Sequence, residues 1–118
     1  MLIDVHRPGF VLVLALDGEQ VYGFAYGHRC SRLALLASCP SMDDFTLKEL
    51  AVLPELRGRG AGAALHDAVL AASSGPRWLA THPAATAALG LYRNKGWHAL
   101  ALHSSDARTR LIMRKAAV

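Results

Sequence analysis

The sequence predicts a mixed α/β or α+β fold, with one central β-sheet flanked by helices. Three features predict it: apolar runs of strand length open the chain, two segments with helical periodicity follow, and further strands alternate with those helices. The 118 residues, 53% of them apolar and 19% charged, are expected to form a single domain over residues 1–118.

The chain opens with a predicted β-hairpin. Apolar runs at 10–16 and 21–27 flank an Asp17-Gly18 pair, and such a pair between two apolar runs is typical of a tight turn between antiparallel strands. The next segment, 28–44, mixes charged residues with a leucine-rich patch, which indicates a loop with one helical turn.

A strand, a helix and a second strand are predicted between residues 45 and 81. The strand 45–52 ends before Pro54, because proline cannot donate a hydrogen bond to a sheet. From Gly60 apolar residues recur at helical spacing, with His66 and Asp67 on the polar side, until Ser-Ser-Gly-Pro ends the helix. The apolar run 78–81 then has the length of a short buried strand.

The last part of the chain is predicted to hold one more helix and two strands. Pro83 suits the first position of a helix, where its missing N–H needs no partner, and Gly96 suits the position after a helix end. We expect this helix to run from Pro83 to about Lys95. Two strands, 97–102 and 110–115, are expected to flank a polar turn at 104–106.

Composition narrows the range of partners. Lys and Arg outnumber Asp and Glu by 13 to 9, and the net charge of +4 favours a phosphate-bearing or acidic ligand. The arginines are scattered and no aromatic-basic motif accompanies them, so we expect no nucleic-acid partner. Neither Cys30 and Cys39 nor the histidines have metal-ligand spacing, so we expect no metal site.

The sequence also predicts where in the cell the protein is located. No apolar run reaches the ~18 uncharged residues that a membrane span needs. The first residues, 1–9, do not resemble the start of a signal peptide. We therefore expect no membrane partner and a cytoplasmic location.

The segment 57–62 is the strongest indication of a ligand site. It places Arg57 and Arg59 among three glycines at the entrance of the first predicted helix, where free N–H groups and the helix dipole favour an anion. Taken alone, these residues fit either a pyrophosphate site or a glycine-rich turn with two solvated arginines. A P-loop fails because no Gly-Lys-Ser/Thr is present, and a dinucleotide fold lacks the acidic residue expected ~20 positions after the glycines.

Two motifs in this order resemble the GNAT superfamily of N-acetyltransferases. Val52-Leu53-Pro54 followed by Arg57-Gly58-Arg59-Gly60-Ala61-Gly62 is similar to the coenzyme A motif of that family. Leu91-Tyr92, three residues, then Gly96-Trp97 is similar to its helix-to-strand signature, commonly Leu-Tyr, three residues, Gly-Phe. The predicted strand order covers nearly the whole family core, apart from N-terminal helices that are shortened or missing.

The resemblance implies where acetyl-CoA would bind as co-substrate. In the family its pantetheine arm lies where two central strands separate, here 45–53 and 78–82. Backbone groups of Leu50, Ala51 and Val52 would pair with the arm, and a strand N–H would hold the thioester oxygen. The pyrophosphate would lie on a set of residues at the helix entrance, namely Arg57, Gly58, Arg59, Gly60, Ala61 and Gly62.

The resemblance also implies catalytic roles. Tyr92 occupies the position of the family's general acid beside the sulfur, although a helix tyrosine can also serve only to pack the core. Glu49, the carboxylate on the central strand, is the candidate base, directly or through a water, against a role as ion-pair partner of Lys48. His82 is the second candidate base, against a role as a helix-entry residue. Ala85 stands where the family often has a cofactor-binding asparagine.

The expected function is acetyl transfer from acetyl-CoA to a primary amine by direct attack on the thioester. The acceptor is a small-molecule or protein amine, which the sequence does not name. The alternative is a catalytically silent acyl-CoA-binding module with a regulatory or partner-binding role, which the missing helices and Ala85 favour. A nucleotide-binding α/β domain is a weaker third reading. A homodimer is the default oligomer, because a second copy would complete the shortened substrate wall.

Overall fold

A computed structural model describes residues 6–40 and 43–117, so parts of the N-terminal stretch 1–9 and of the loop 28–44 lie outside the described residues. The fold is built from short strands and helices. In chain order these are β1 (Val11–Asp17), β2 (Gln20–Arg29), α1 (Arg32–Leu36), β3 (Phe45–Val52), a 3₁₀ turn (Pro54–Leu56), α2 (Ala61–Ala71), β4 (Arg77–Thr81), α3 (Thr86–Asn94), β5 (His98–Ser105) and β6 (Arg108–Lys115).

The strands form one mixed sheet in the order β1-β2-β3-β4-β6-β5, which confirms the predicted fold class. Every neighbouring pair is antiparallel except β3 and β4, which are parallel because α2 crosses over between them. The predicted hairpin is confirmed, since β1 and β2 are joined at Gly18, whose φ of +62° suits glycine. This turn leaves no helix between the first two strands.

A β-bulge in β3 changes the course of the strand. Glu49 lies opposite Tyr26 and Leu47 lies opposite Gly27, so Lys48 is an extra residue without a partner on β2. The parallel pairing with β4 covers only Phe45 to Leu47, whereas β3 continues to Val52. The two central strands therefore separate after Leu47, which confirms the separation that the family resemblance predicts.

The helices divide unequally between the two faces of the sheet. We call the face that α2 and α3 cover the helix face, and the opposite one the far face. The helix face carries the main core, and the far face carries a smaller cluster in which Ala34 of α1 packs with Trp78 and Ile112. On the far face of β1, Leu12 and Leu14 are 41% and 49% exposed. Strand β1 thus alternates between a covered side and a more open one.

Two predicted boundaries are wrong. Helix α3 begins at Thr86 and not at Pro83. Residues 82–85 instead form a turn in which the Ala85 N–H donates to the His82 carbonyl (3.0 Å). The last turn lies at Asp106 and Ala107, both with positive φ, instead of 104–106. Such a two-residue turn matches the twist of the strands, which lets β5 run on to Ser105.

The prediction that His66 lies on the polar side of α2 is also wrong, because its side chain is only 2% exposed. Its Nε2 accepts a hydrogen bond from the Trp97 indole N–H (2.9 Å), and its Nδ1 lies 2.9 Å from Oδ1 of Asp67. Since the indole can only donate, His66 carries its proton on Nδ1 and is neutral. Trp97, 31 positions away, supplies the partner that makes burial of this histidine favourable.

Folding stability is expected to decrease below pH 6.5 because of His66. Burial lowers the pKa of His66 below 6.5, with Asp67 opposing that shift and Lys95 and Lys115 adding to it. The unfolded chain therefore takes up a proton before the folded chain does. The contribution of neutral His66 to the free energy of unfolding should be complete above pH 6.5. It should decrease as the pH drops toward the folded-state pKa of His66.

Urea unfolding of the parent and of His66→Gln between pH about 8 and about 5 measures this effect. Glutamine keeps an acceptor for the indole but does not titrate in this range, so the variant should lose less stability on acidification. Asp67, whose pKa is held below 3.8 by the Lys95 and His66 hydrogen bonds, stays ionised in both proteins. Parallel pH profiles for the two proteins would contradict the assignment.

Candidate functional site

A cleft of about 720 Å³ opens on the helix face where β3 and β4 separate. It lies between the end of β3, the glycine-rich loop, the entrance of α2 and the first turns of α3. The predicted site residues that line it are Leu50, Ala51, Val52, Arg57, Gly58, Gly60, Gly62 and Tyr92. One cleft therefore brings together most residues of the two sequence motifs.

Two predicted ligand-binding residues lie beside this cleft. Arg59 and Ala61 line a neighbouring depression of about 410 Å³, which the β1–β2 hairpin bounds through Leu16 and Tyr22. Gly60 lines both, so the glycine-rich loop forms the ridge between them. One side of the glycine-rich loop therefore faces the cleft, and the other side faces the depression.

The glycine-rich loop has a backbone that only glycine adopts easily. Gly58 and Gly60 have φ values of +82° and +80°. The loop is also tied to the sheet, because the Arg57 Nε–H donates to the carbonyl oxygen of Val52 (3.3 Å). Its guanidinium group is exposed beside the end of β3. The loop therefore holds a positive charge at the mouth of the cleft.

The entrance of α2 adds hydrogen-bond donors to this charge. Gly60 is the N-cap residue, and no side chain caps the helix. The first intrahelical bond joins the Ala64 N–H to the Gly60 carbonyl (3.0 Å), so the N–H groups before Ala64 have no helical acceptor. Gly60, Gly62 and Ala63 line the cleft there. These donors and the positive end of the helix dipole fit a phosphate-bearing ligand.

Tyr92 forms part of the inner wall of the cleft. Its side chain is 8% exposed, and its ring packs against those of Trp97 and His66, with centroids 6.0 and 6.4 Å away. Burial raises the pKa of Tyr92 above 10.0, because the phenolate would lose its hydration. At neutral pH the hydroxyl group keeps its proton and can donate it.

Glu49 lies on the other face of β3. Leu50 and Val52 pack toward the core of the helix face, and Glu49 alternates with them, opposite Tyr26 of β2. It is half-buried and does not line the cleft. Tyr92 and Glu49 thus approach the gap between β3 and β4 from opposite faces of the sheet.

His82 has a local structural role. Its Nδ1 accepts a hydrogen bond from the Ala84 N–H (3.0 Å), which stabilises the turn before α3. The side chain is exposed and does not line the cleft. These contacts match those of a helix-entry residue.

Apart from Ala85, the sequence analysis did not identify the residues that form one wall of the cleft. This wall belongs to α3 and the residue before it, and it is formed mainly by small side chains, namely Ala85, Thr86, Ala87, Ala88 and Leu91. Ala85 presents only a methyl group where the family often has an amide. The run of alanines upstream of Tyr92 is a usable signal, because small side chains leave room beside a helix for a ligand.

Residues 6–40 and 43–117 lack two kinds of feature. No helix there is long and apolar enough to cross a membrane. No three His, Cys, Asp or Glu side chains in the same ranges lie close enough together to hold a metal ion.

Comparison with known proteins identifies the family. Among curated proteins, no sequence matches this chain. Solved structures with a similar fold include the IAA acetyltransferase from Bacillus cereus (TM-score 0.66, 16% identity, 91% of this chain and 77% of that one). The ribosomal-protein-S18-alanine N-acetyltransferase from Escherichia coli (0.69, 20%, 92% and 69%) is another. Chaetomium thermophilum Naa20, in complex with a bisubstrate analogue, is a third (0.70, 20%, 88% and 64%).

At 16–20% identity, these structures show only that the fold is shared. The sequence profile of the acetyltransferase (GNAT) domain is more specific evidence for the family. It matches residues 7–99, which include the hairpin, the glycine-rich loop and the helix that carries Tyr92. Because the match covers well over half of the 118 residues, the chain belongs to the GNAT family of acetyltransferases.

Proposed function

We propose that this acetyltransferase uses acetyl-CoA to acetylate a primary amine of a small molecule or a protein, by direct attack of the amine on the thioester. The observation that carries the proposal is the continuity of the cleft. Donors that fit a phosphate group lie at one end, and the protonated hydroxyl of Tyr92 lies at the other.

The residues of the cleft suit the parts of acetyl-CoA in this order. The N–H groups at the entrance of α2 would bind the pyrophosphate, and Arg57 would add a charge-assisted hydrogen bond. The alanines of α3 and Leu91 would contact the pantetheine arm, which is largely apolar. Gly62 leaves space between Leu50 and Leu91 that a larger residue would fill.

The end of β3 supplies backbone groups for the rest of the arm. Beyond Leu47 the edge of β3 that faces β4 has no strand partner among the described residues. Peptide groups of Leu50, Ala51 and Val52 on that edge can pair with the amides of the arm, and an N–H there can donate to the thioester oxygen. A ligand would thereby satisfy groups that the sheet leaves open.

The proton transfers are assigned to Tyr92 and Glu49. Acetyl-CoA supplies the acetyl group, whose bond to sulfur is replaced by a bond to the amine nitrogen. Tyr92 donates its proton to the departing sulfur, and its raised pKa keeps that proton available at neutral pH. Glu49, on the far face, accepts the proton that the amine loses, directly or through a water. This arrangement requires the amine to approach from the face opposite Tyr92.

Gly62→Val should weaken acetyl-CoA binding by about tenfold or more, or about 1.4 kcal/mol. A Cβ at this position lies 3.8 Å from Leu91 and 3.9 Å from Leu50, which is ordinary van der Waals contact, and we expect the branches of valine to project into the cleft. Stability should change by less than about 1 kcal/mol, because glycine is itself unfavourable in a helix. The measurement is the acetyl-CoA-induced increase in Tm as a function of ligand concentration.

Ala68→Val is the matched control, since Ala68 is exposed on the same helix and does not line the cleft. Its Tm should rise with acetyl-CoA as in the parent, whereas NADH should not raise the Tm of either protein. Equal acetyl-CoA affinities for Gly62→Val and Ala68→Val would remove this cleft from the proposed binding site.

Tyr92→Phe should lower kcat by about tenfold or more, because a positioned general acid contributes ~10²–10⁴ in rate. The ring that packs against Trp97 is kept, so the Kd for acetyl-CoA should stay within about threefold of the parent value. Release of free thiol from acetyl-CoA, measured with a panel of amines, gives kcat, and the acetyl-CoA-induced increase in Tm gives the Kd. An unchanged kcat would show that solvent or another group protonates the sulfur, and acetyl-CoA binding without acetylation of any amine would favour the silent binding module.

Glu49→Gln should lower kcat/KM most at low pH, where the amine is largely protonated and a base is needed. As the pH approaches the pKa of the amine, the free amine becomes abundant and the difference from the parent should shrink. The pH profile of kcat/KM for one good acceptor checks this. A constant ratio between parent and variant over the whole profile would argue against a proton-accepting role for Glu49.

A further inference from the structure

We propose that Asp67, His66 and Trp97 form a hydrogen-bonded chain that positions the ring of Tyr92 for proton donation. His66 and Trp97 are then positioning residues, which act through Tyr92 and do not touch the substrate. The inference rests on the proposed function, in which Tyr92 is the proton donor.

The polarity of this chain is fixed. The Trp97 indole N–H can only donate, so Nε2 of His66 accepts and Nδ1 donates to Oδ1 of Asp67, both over 2.9 Å. Lys95 Nζ holds the other carboxylate oxygen of Asp67 at 2.9 Å. Lys115 Nζ in turn donates to the backbone carbonyl of Lys95 at 2.7 Å. Every polar atom of the buried pair has a partner, and the outer end of the chain is held by surface charges.

The inner end of the chain contacts Tyr92 in three ways. The Trp97 ring meets the Tyr92 ring edge to face, with a centroid distance of 6.0 Å and an angle of 60°. The His66 ring lies 6.4 Å from the same ring. The backbone N–H of Trp97 also donates to the Tyr92 carbonyl (3.0 Å). The rings of His66 and Trp97 both pack against Tyr92. The hydrogen bond between these two rings therefore fixes the surface on which the Tyr92 ring rests.

A hydrogen bond holds these rings more specifically than apolar packing would. Phenylalanine at position 97 would fill much of the same space without needing an acceptor, and leucine at position 66 would be a normal core residue. The protein instead buries a tryptophan donor and a histidine acceptor, each about 2% exposed. Burial of these two polar groups is favourable only when they form a hydrogen bond with each other. A displacement of a reacting group by about 1 Å can slow a reaction by about 10²-fold. A fixed orientation of the Tyr92 ring would therefore keep its hydroxyl group in the position that proton donation needs.

The test compares variants that break the chain with a matched variant elsewhere. Trp97→Phe removes the donor and His66→Leu removes the acceptor. Trp78→Phe is the control, because Trp78 is equally buried and its indole N–H donates to Asp44 Oδ2 (2.9 Å), but it lies in the far-face cluster. All three should lower Tm. Only the first two should lower kcat, by about tenfold or more, with the Kd for acetyl-CoA within about threefold of the parent.

The double variant His66→Leu/Trp97→Phe separates positioning from stability. Removing both polar partners leaves no unsatisfied group, so its Tm should recover relative to the single variants. Its kcat should remain low, because the ring orientation is no longer fixed. His66→Gln, which keeps an acceptor, should retain more of the rate than His66→Leu. Recovery of kcat together with Tm, or an equal loss of kcat in Trp78→Phe, would overturn the inference.

A readout that needs no acetylation keeps the inference separate from the proposed function. In protein labelled with 3-fluorotyrosine, the fluorine signal of residue 92 is assigned by its loss in Tyr92→Phe, and its titration reports the burial of the phenol. Trp97→Phe should lower the pKa of this group relative to the parent, and Trp78→Phe should not. An unchanged titration in Trp97→Phe would overturn the positioning role. If Tyr92→Phe keeps the parent kcat, the proton-donor role fails, while this titration still decides whether the chain positions the ring.

Discussion

The loss of pairing between β3 and β4 after Leu47 is the constraint on which the candidate site depends. A strand in the middle of a sheet normally has partners on both edges, and backbone groups without partners are unfavourable when buried. Here the extra residue Lys48 bends β3 away from β4 while its pairing with β2 resumes at Glu49. The result is an open edge inside the sheet, with the donors at the entrance of α2 on one side and Tyr92 on the other.

The chemistry of the site follows from how differently its groups are surrounded. Tyr92 is backed by aromatic rings and stays protonated, while Arg57 and the loop glycines face solvent and remain accessible to an anionic ligand. Glu49 approaches the gap from the far face, where α1 covers only part of the sheet. In the proposed mechanism, a single break in the sheet would give a proton donor and a proton acceptor, in different environments on the two faces, access to one reacting centre.

Local sequence signals predicted much of this fold. Asp17-Gly18 predicted the hairpin, Pro54 predicted the end of β3, and the glycines at 58, 60 and 62 predicted the loop that borders the cleft. The orientation of Glu49 and the burial of His66 have nonlocal causes. Strict alternation from Phe45 and Leu47 would direct Glu49 toward the helix face, and only the pairing with β2 reveals the bulge that reverses it. The burial of His66 depends on Trp97, whereas the late start of α3 has a local cause, the turn in which Nδ1 of His82 accepts a hydrogen bond from the Ala84 N–H.

The single parallel contact also has a mechanical consequence. The sheet consists of two antiparallel halves, β1-β2-β3 and β4-β6-β5, that are joined by three residue pairs of β3 and β4. Helix α2 packs on the first half, and its His66 reaches across to Trp97 at the start of the second. The line between the halves thus has few backbone hydrogen bonds, and we expect it to be the boundary between two units of local unfolding. A ligand that paired with the free edge of β3 at that line, as proposed, would add hydrogen bonds where the two halves share the fewest.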